Sequence, residues 1–132
     1  MNAPRDPRIH QKALNFSRAL RALEMSIALP VTTPRDLSGI IKDFEIAYEL
    51  SWKSLKAFLE RQGHETGTAK NVFSKAYQLR ILGDEKVWLD MIEDRNLTVH
   101  TYDEDLAKTL ADHIRSRYVP VFQALEKTLQ SN

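Results

Sequence analysis

Arg95 and His100 lie five residues apart in the stretch Asp94-Arg95-Asn96-Leu97-Thr98-Val99-His100-Thr101-Tyr102-Asp103-Glu104, and they are the side chains best suited to chemistry in this chain. A guanidinium can hold two phosphate oxygens at once, and an imidazole gives or takes a proton near neutral pH. Arg95 also interrupts an apolar pattern. Trp88, Ile92, Arg95, Val99 and Tyr102 follow one another at steps of four, three, four and three, which would put a charge and a hydroxyl on one buried seam of a helix. An unpaired guanidinium there costs several kcal/mol, comparable with the net stability of a domain. Arg95 must therefore either pair with Asp94, Asp90 or another helix, or face a cleft or subunit interface.

The two residues do not converge on one regular helix, because five residues turn it about 140° past a full turn. Either the helix ends between them, or the side chains combine from two copies of the chain across a twofold axis. Asn96 and Asp103, four before and three after His100, are placed to orient its imidazole. His10 and His64 read as structural, and His113 as flanking the core. Asp90, Asp94, His100 and Asp103 are hard or borderline ligands at helical spacing, but an acidic helix face is ordinarily just solvated, so no metal site is expected. There is no glycine-rich phosphate loop and no Ser-His-Asp arrangement.

The elements that must hold these residues are helices. The chain has 132 residues, 42% hydrophobic and 28% charged, which suits one soluble globular domain with a real core. It has no cysteine, which excludes thiolate metal sites and fits a cytoplasmic setting. No apolar run is long enough to span a membrane. Residues 1–8 are expected to form a flexible N-terminal tail, and 9–132 the domain.

Turn-forming stretches near Pro30–Asp36, Gln62–Thr68, Leu82–Asp84 and Tyr102–Asp105 delimit five helical segments. Thr33 should cap the second, with Pro34 in its first turn and Gly63 at its stop. Thr68 should cap a third that ends at Gly83, and Asp84 should cap the fourth. The fifth carries Leu106 to Leu129 and should bend at Pro120. No strand alternation appears. The expected fold is an all-α, up-down bundle of about five helices.

The stretch from Asp94 to Glu104 resembles the Arg-(four residues)-His-x-Tyr signature of HEPN domains, in particular their nucleotidyltransferase substrate-binding, HepT-like branch. Asn96 supplies the polar residue that follows the Arg in that pattern. The likeness extends through Trp88 to Glu93 and to Phe44-Glu45, Glu49 and Trp52-Lys53 in the second helix. It covers nearly the whole chain from about residue 9.

The resemblance implies a homodimer paired with a separately encoded minimal nucleotidyltransferase. It implies a metal-independent ribonuclease toxin without cofactor, with Arg95, Asn96 and His100 in a composite cleft, silenced when the partner transfers AMP to Tyr102. Asp94, Asp103 and Glu104 would then meet the transferase or its nucleotide. The rival implication is a non-catalytic subunit that presents substrate to the transferase.

The net charge of +1 hides a segregation that bears on an RNA substrate. Residues 84–105 hold eight acids against Lys86 and Arg95, a net of −6, which repels a polyanion. Cations for RNA would have to come from elsewhere, with Arg5, Arg8, Lys12, Arg18 and Arg21 as candidates.

Overall fold

A computed structural model describes residues 6–131, and among these every regular element is helical. The chain is an all-α bundle of five rods. The first, α1, spans Pro7–Ala28. Asp6 caps it by accepting from the Arg8 amide, and Pro7 fills the first position, where a missing N–H costs nothing. The helix thus begins two residues earlier than the tail expected at 1–8 allows, and residues 1–5, with Arg5, lie outside the described part.

The second rod, α2, spans Pro34–Arg61 and opens on a reciprocal capping box. The Thr33 hydroxyl accepts from the Asp36 amide while Asp36 accepts from the Thr33 amide at 2.9 Å. Hydrogen bonds from the Thr32 amide and hydroxyl, and from the Thr33 amide, hold the Asp36 carboxyl below its ordinary range. At the other end Gly63 takes φ +90°, and the His64 and Gly63 amides return to the Leu59 and Glu60 carbonyls. This is a Schellman closure, and the left-handed residue is glycine as expected.

The third rod, α3, spans Ala69–Gln78 and is capped by Thr68. It stops well short of Gly83. Arg80 takes the left-handed position at φ 60°, and the Ile81 and Arg80 amides close on the Ala76 and Tyr77 carbonyls. The same closure thus forms around a residue with a Cβ. The fourth rod, α4, spans Glu85–Leu97. Asp84 stands at its N-cap position, but it is itself left-handed at φ 33° and makes no side-chain cap bond, which corrects the expected capping role.

The final rod is continuous but not uniform. Helix α5, Glu104–His113, passes into a widened π turn over Ile114–Tyr118 and then into α6, Val119–Ser131. In the π turn the Val119 amide reaches back five residues to the Ile114 carbonyl. In a regular helix the Pro120 ring would press on the Ser116 carbonyl. The widened turn contains that carbonyl, so the expected bend takes the form of a π turn just upstream of the proline.

An aromatic cluster ties the rods together. Trp88 of α4 lies between Phe73 of α3, at 4.7 Å between ring centroids, and Phe122 of α6, at 5.7 Å. Phe122 in turn meets Phe16 of α1 edge-on, and Phe44 of α2 stacks on Tyr118 at 5.6 Å. All six rings are essentially buried. Burial on this scale, with edge and offset contacts each worth about 0.5–1.5 kcal/mol, fixes α4 against its neighbours.

Candidate functional site

The inward face of α4 runs through the buried Trp88 and Met91 to the part-buried Arg95, and on to the buried Thr98 just past the helix end, at steps of three, four and three. Arg95 is on the seam as expected, but Val99 and Tyr102 are not: they are 68% and 84% exposed. The reason is a change of pitch. Helix α4 ends at Leu97 and Thr98–His100 form a 3-10 turn, in which each residue advances about 120° instead of about 100°. The residues beyond Thr98 therefore swing out of register with the seam, and the helix does end between Arg95 and His100.

The partner of Arg95 comes from another helix. Its Nη2 lies 3.6 Å from Oε2 of Glu45 on α2, and Nη1 donates to the Thr98 hydroxyl at 2.9 Å. The Thr98 hydroxyl in turn donates to the Arg95 carbonyl at 2.7 Å, so one side chain closes the helix end and braces the guanidinium. The Arg95 and Glu45 side chains are 28% and 31% exposed, while Nε of Arg95 is buried with no hydrogen-bond partner. The arginine is thus seated in the fold by Glu45 and Thr98, with about a quarter of its side chain left exposed. Nearby, burial raises the Tyr48 hydroxyl to about 12, helped by the Glu49 charge and opposed by that of Arg95.

His100 is exposed. Its Nδ1 lies 3.2 Å from the Tyr102 hydroxyl, with the two rings edge to face at 5.8 Å. Asn96 is exposed. Asp103 makes its hydrogen bonds as the cap of α5, accepting from the Asp105 and Leu106 amides, and Glu104 lies 3.8 Å from Lys108 one turn on. Asp94 faces inward to His113 and Tyr118, and Asp90 pairs with Arg117 at 2.7 Å and Lys86 at 2.9 Å. The arginine and lysine bonds hold the Asp90 carboxyl below its ordinary range. Among the described residues no group of three or more His, Asp or Glu side chains is arranged to hold a metal ion.

The motif thus presents a part-exposed arginine held by Glu45 and Thr98 and, past the helix end, an exposed histidine in contact with an exposed tyrosine. Residues 11–131 match the family described as nucleotidyltransferase substrate binding protein like. The chain belongs to that family.

Relatives of this HepT-like HEPN protein fit the same frame. It is 30% identical over 101 residues to the Haemophilus influenzae protein named Probable ribonuclease HepT, covering 73% of this chain and 69% of that one. A crystal structure from Thermus thermophilus superposes with a TM-score of 0.74 at 31% identity, over 88% of this chain and 96% of the other. A Haemophilus influenzae structure, described as the fold of a substrate binding domain of a nucleotidyltransferase, gives 0.81 at 24% identity, over 89% and 98%. A tri-AMPylated HEPN toxin of Shewanella oneidensis, solved with its MNT antitoxin, gives 0.79 at 13% identity, over 97% and 100%.

Four contributors to this site were not assigned to it from the sequence. Glu45 appears there only as part of the resemblance, Thr98 looks like an ordinary helical threonine, and the Asp94 partners sit 19 and 24 residues away. Nor do all the cations expected to serve RNA surround the motif. Ser54 on α2 bonds the Lys12 carbonyl, nine residues along α2 from Glu45, or about 13 Å at helical rise. Lys12, with Arg8 and Arg61, borders a separate open pocket, while Arg21 is engaged by Glu24 and Glu126. None of the described helices is long and apolar enough to cross a membrane.

Proposed function

We propose that this protein is a metal-independent ribonuclease toxin that acts as a homodimer and is neutralised when a minimal nucleotidyltransferase partner transfers AMP to Tyr102. The observation that carries this reading is the contact between His100 and Tyr102. A single exposed hydroxyl, open to another enzyme, touches the imidazole that would move protons in cleavage.

In the proposed reaction the 2′-hydroxyl of RNA attacks the adjacent phosphorus. A base takes its proton, the bond to the 5′-oxygen breaks, and an acid protonates that oxygen. Imidazole serves in either proton role. The part-exposed Arg95 binds the phosphate oxygens and stabilises the charge that grows on them. Asn96, exposed one residue further on, supplies a neutral donor at the same helix end. Leu97 and Val99 are apolar and exposed beside the motif, 40% and 68%, which favours a second copy packing there and two Arg95/His100 sets sharing one cleft. The −6 segment, with Asp103 and Glu104 next to Tyr102, suits a basic transferase carrying a metal-bound nucleotide better than it suits bare RNA.

The test is RNA cleavage by the purified protein in chelator-treated buffer. Wild type is expected to cut, and His100→Ala and Arg95→Ala to lose cleavage while keeping their thermal stability within a few degrees. Equal activity in all three would point to a contaminating nuclease and overturn the reading.

A further inference from the structure

Three contacts form a closed circuit around Arg95, and a fourth braces it at Asp94. Arg95 reaches Glu45 on α2, and Phe44, the residue before it, stacks on the Tyr118 ring. The Tyr118 hydroxyl donates to Asp94, which precedes Arg95. His113 Nδ1 lies 2.8 Å from the same Asp94 oxygen, Oδ2. The Asp94 side chain is only 15% exposed and Tyr118 is fully buried. Burial and the bond to Asp94 push the Tyr118 hydroxyl far above its ordinary range, so it remains a donor across the usable pH scale.

Both donors reach one oxygen because of the π turn. His113 and Tyr118 are five residues apart, and on a regular helix they would point about 140° away from each other. The wider turn over Ile114–Tyr118 brings them to the same side. Arg95 and His100 have the same separation and the opposite outcome, since the 3-10 turn between them keeps them with different partners. An apolar residue at position 94 would fill the space without the cost of desolvating a carboxylate. A carboxylate held by two donors does something an apolar residue does not: it ties α4 to the π turn through directional bonds.

We propose that Asp94, Tyr118 and His113 form a positioning unit for Arg95, assembled by the π turn. By locking the rotation of the last turn of α4, the unit aims the guanidinium at Glu45 and Thr98. Arg95 lies within three residues of the end of α4, where a helix frays unless it is anchored. The consequence for RNA cleavage rests on the ribonuclease reading; the positioning itself does not.

The Arg95 Nε–H is buried and can be followed by nitrogen-15 NMR, with Arg95→Lys to assign it. Tyr118→Phe keeps the ring on Phe44 and removes only the hydroxyl. His113→Ala removes the second donor, and His113→Asn returns one near the Nδ1 position. Exchange of the Arg95 Nε–H with solvent is expected to be about tenfold faster in Tyr118→Phe and His113→Ala, with His113→Asn close to wild type. Melting curves identify any variant that fails to fold, and the two His113 variants suffice without Tyr118→Phe. Wild-type exchange in the folded donor-deleted variants overturns the positioning unit, whether or not the protein cuts RNA. Faster exchange in a protein whose wild type cuts no RNA supports the unit and overturns the ribonuclease reading. Faster exchange together with a matching fall in kcat supports both.

Discussion

The imidazole Nδ1 of His100 stands 3.2 Å from the phenol oxygen of Tyr102, and the tyrosine is 84% exposed. When the neutral ring accepts the tyrosine O–H at Nδ1, its own hydrogen sits on Nε2, facing away from Tyr102. Tyr102 then helps orient the ring as well as lying next to it. A phosphodiester on the tyrosine oxygen leaves no hydrogen to donate, so modification would remove this bond while adding negative charge and a purine beside the site.

This gives the first prediction. On incubation with its cognate transferase, ATP and magnesium, the wild-type protein should gain one or more AMP masses, and Tyr102→Phe should gain none. The modified protein should cut RNA far more slowly than the unmodified one. Equal mass gain in both proteins, read by intact mass spectrometry, would place the acceptor elsewhere.

The second prediction concerns Arg80. A side chain in the left-handed region costs about 1 kcal/mol, and Arg80 adopts it at φ 60° to close α3. Glycine is free of that penalty but loses more entropy on folding, so Arg80→Gly should stabilise by only about 0.5 kcal/mol. Denaturant midpoints measure it, and a lower midpoint would show that the Arg80 side chain makes a compensating contact.

Arg80 also shows where the sequence was legible and where it was not. Caps written in residue types with one dominant use, such as Thr33 with Asp36, Thr68 and Gly63, could be placed at once, and with them the number and order of the rods. The end of α3 could not, because its left-handed residue is an arginine and the visible glycine at 83 lies beyond it. The seam of α4 was legible as far as Arg95. It failed at Val99 because the spacing assumes a constant pitch, while the 3-10 turn changes it. The Asp94 partners stayed hidden for the same reason: only a π turn lets residues 113 and 118 share a face.

A third prediction follows from Asp90. Its carboxyl is held below the ordinary value by hydrogen bonds from Arg117 and then Lys86. A group whose folded pKa is depressed adds stability above its unfolded pKa and loses it as pH falls through the folded value. The contribution should be complete at pH 7 and fade below about pH 4. Because the pair is partly solvated, it amounts to about 0.5–1 kcal/mol. Asp90→Asn should therefore be less stable than wild type in urea at pH 7, with the gap narrowing towards pH 3. A gap that is constant across that range would assign the loss to something other than charge.

The fourth prediction tests whether the site is shared between two copies. In one chain the Arg95 guanidinium engages Glu45 and Thr98, whereas His100 engages Tyr102 across the break at Leu97. If a cleft takes its arginine from one copy and its histidine from the other, two inactive proteins can repair each other. A dimer of one Arg95→Ala chain and one His100→Ala chain brings the intact Arg95 of the second to the intact His100 of the first. Its other pairing carries both defects. Unfolding and refolding the two variants together at equal concentration yields such mixed dimers as about half of the population on random reassortment. RNA cleavage in chelator-treated buffer should then return to roughly a quarter of the wild-type rate, as half the dimers each regain one of two sites. Each variant refolded alone should stay inactive. If Arg95 and His100 of the same chain work together, every mixed dimer lacks one partner at each site. No activity would return, even though size and mass measurements show that the mixed dimers have formed.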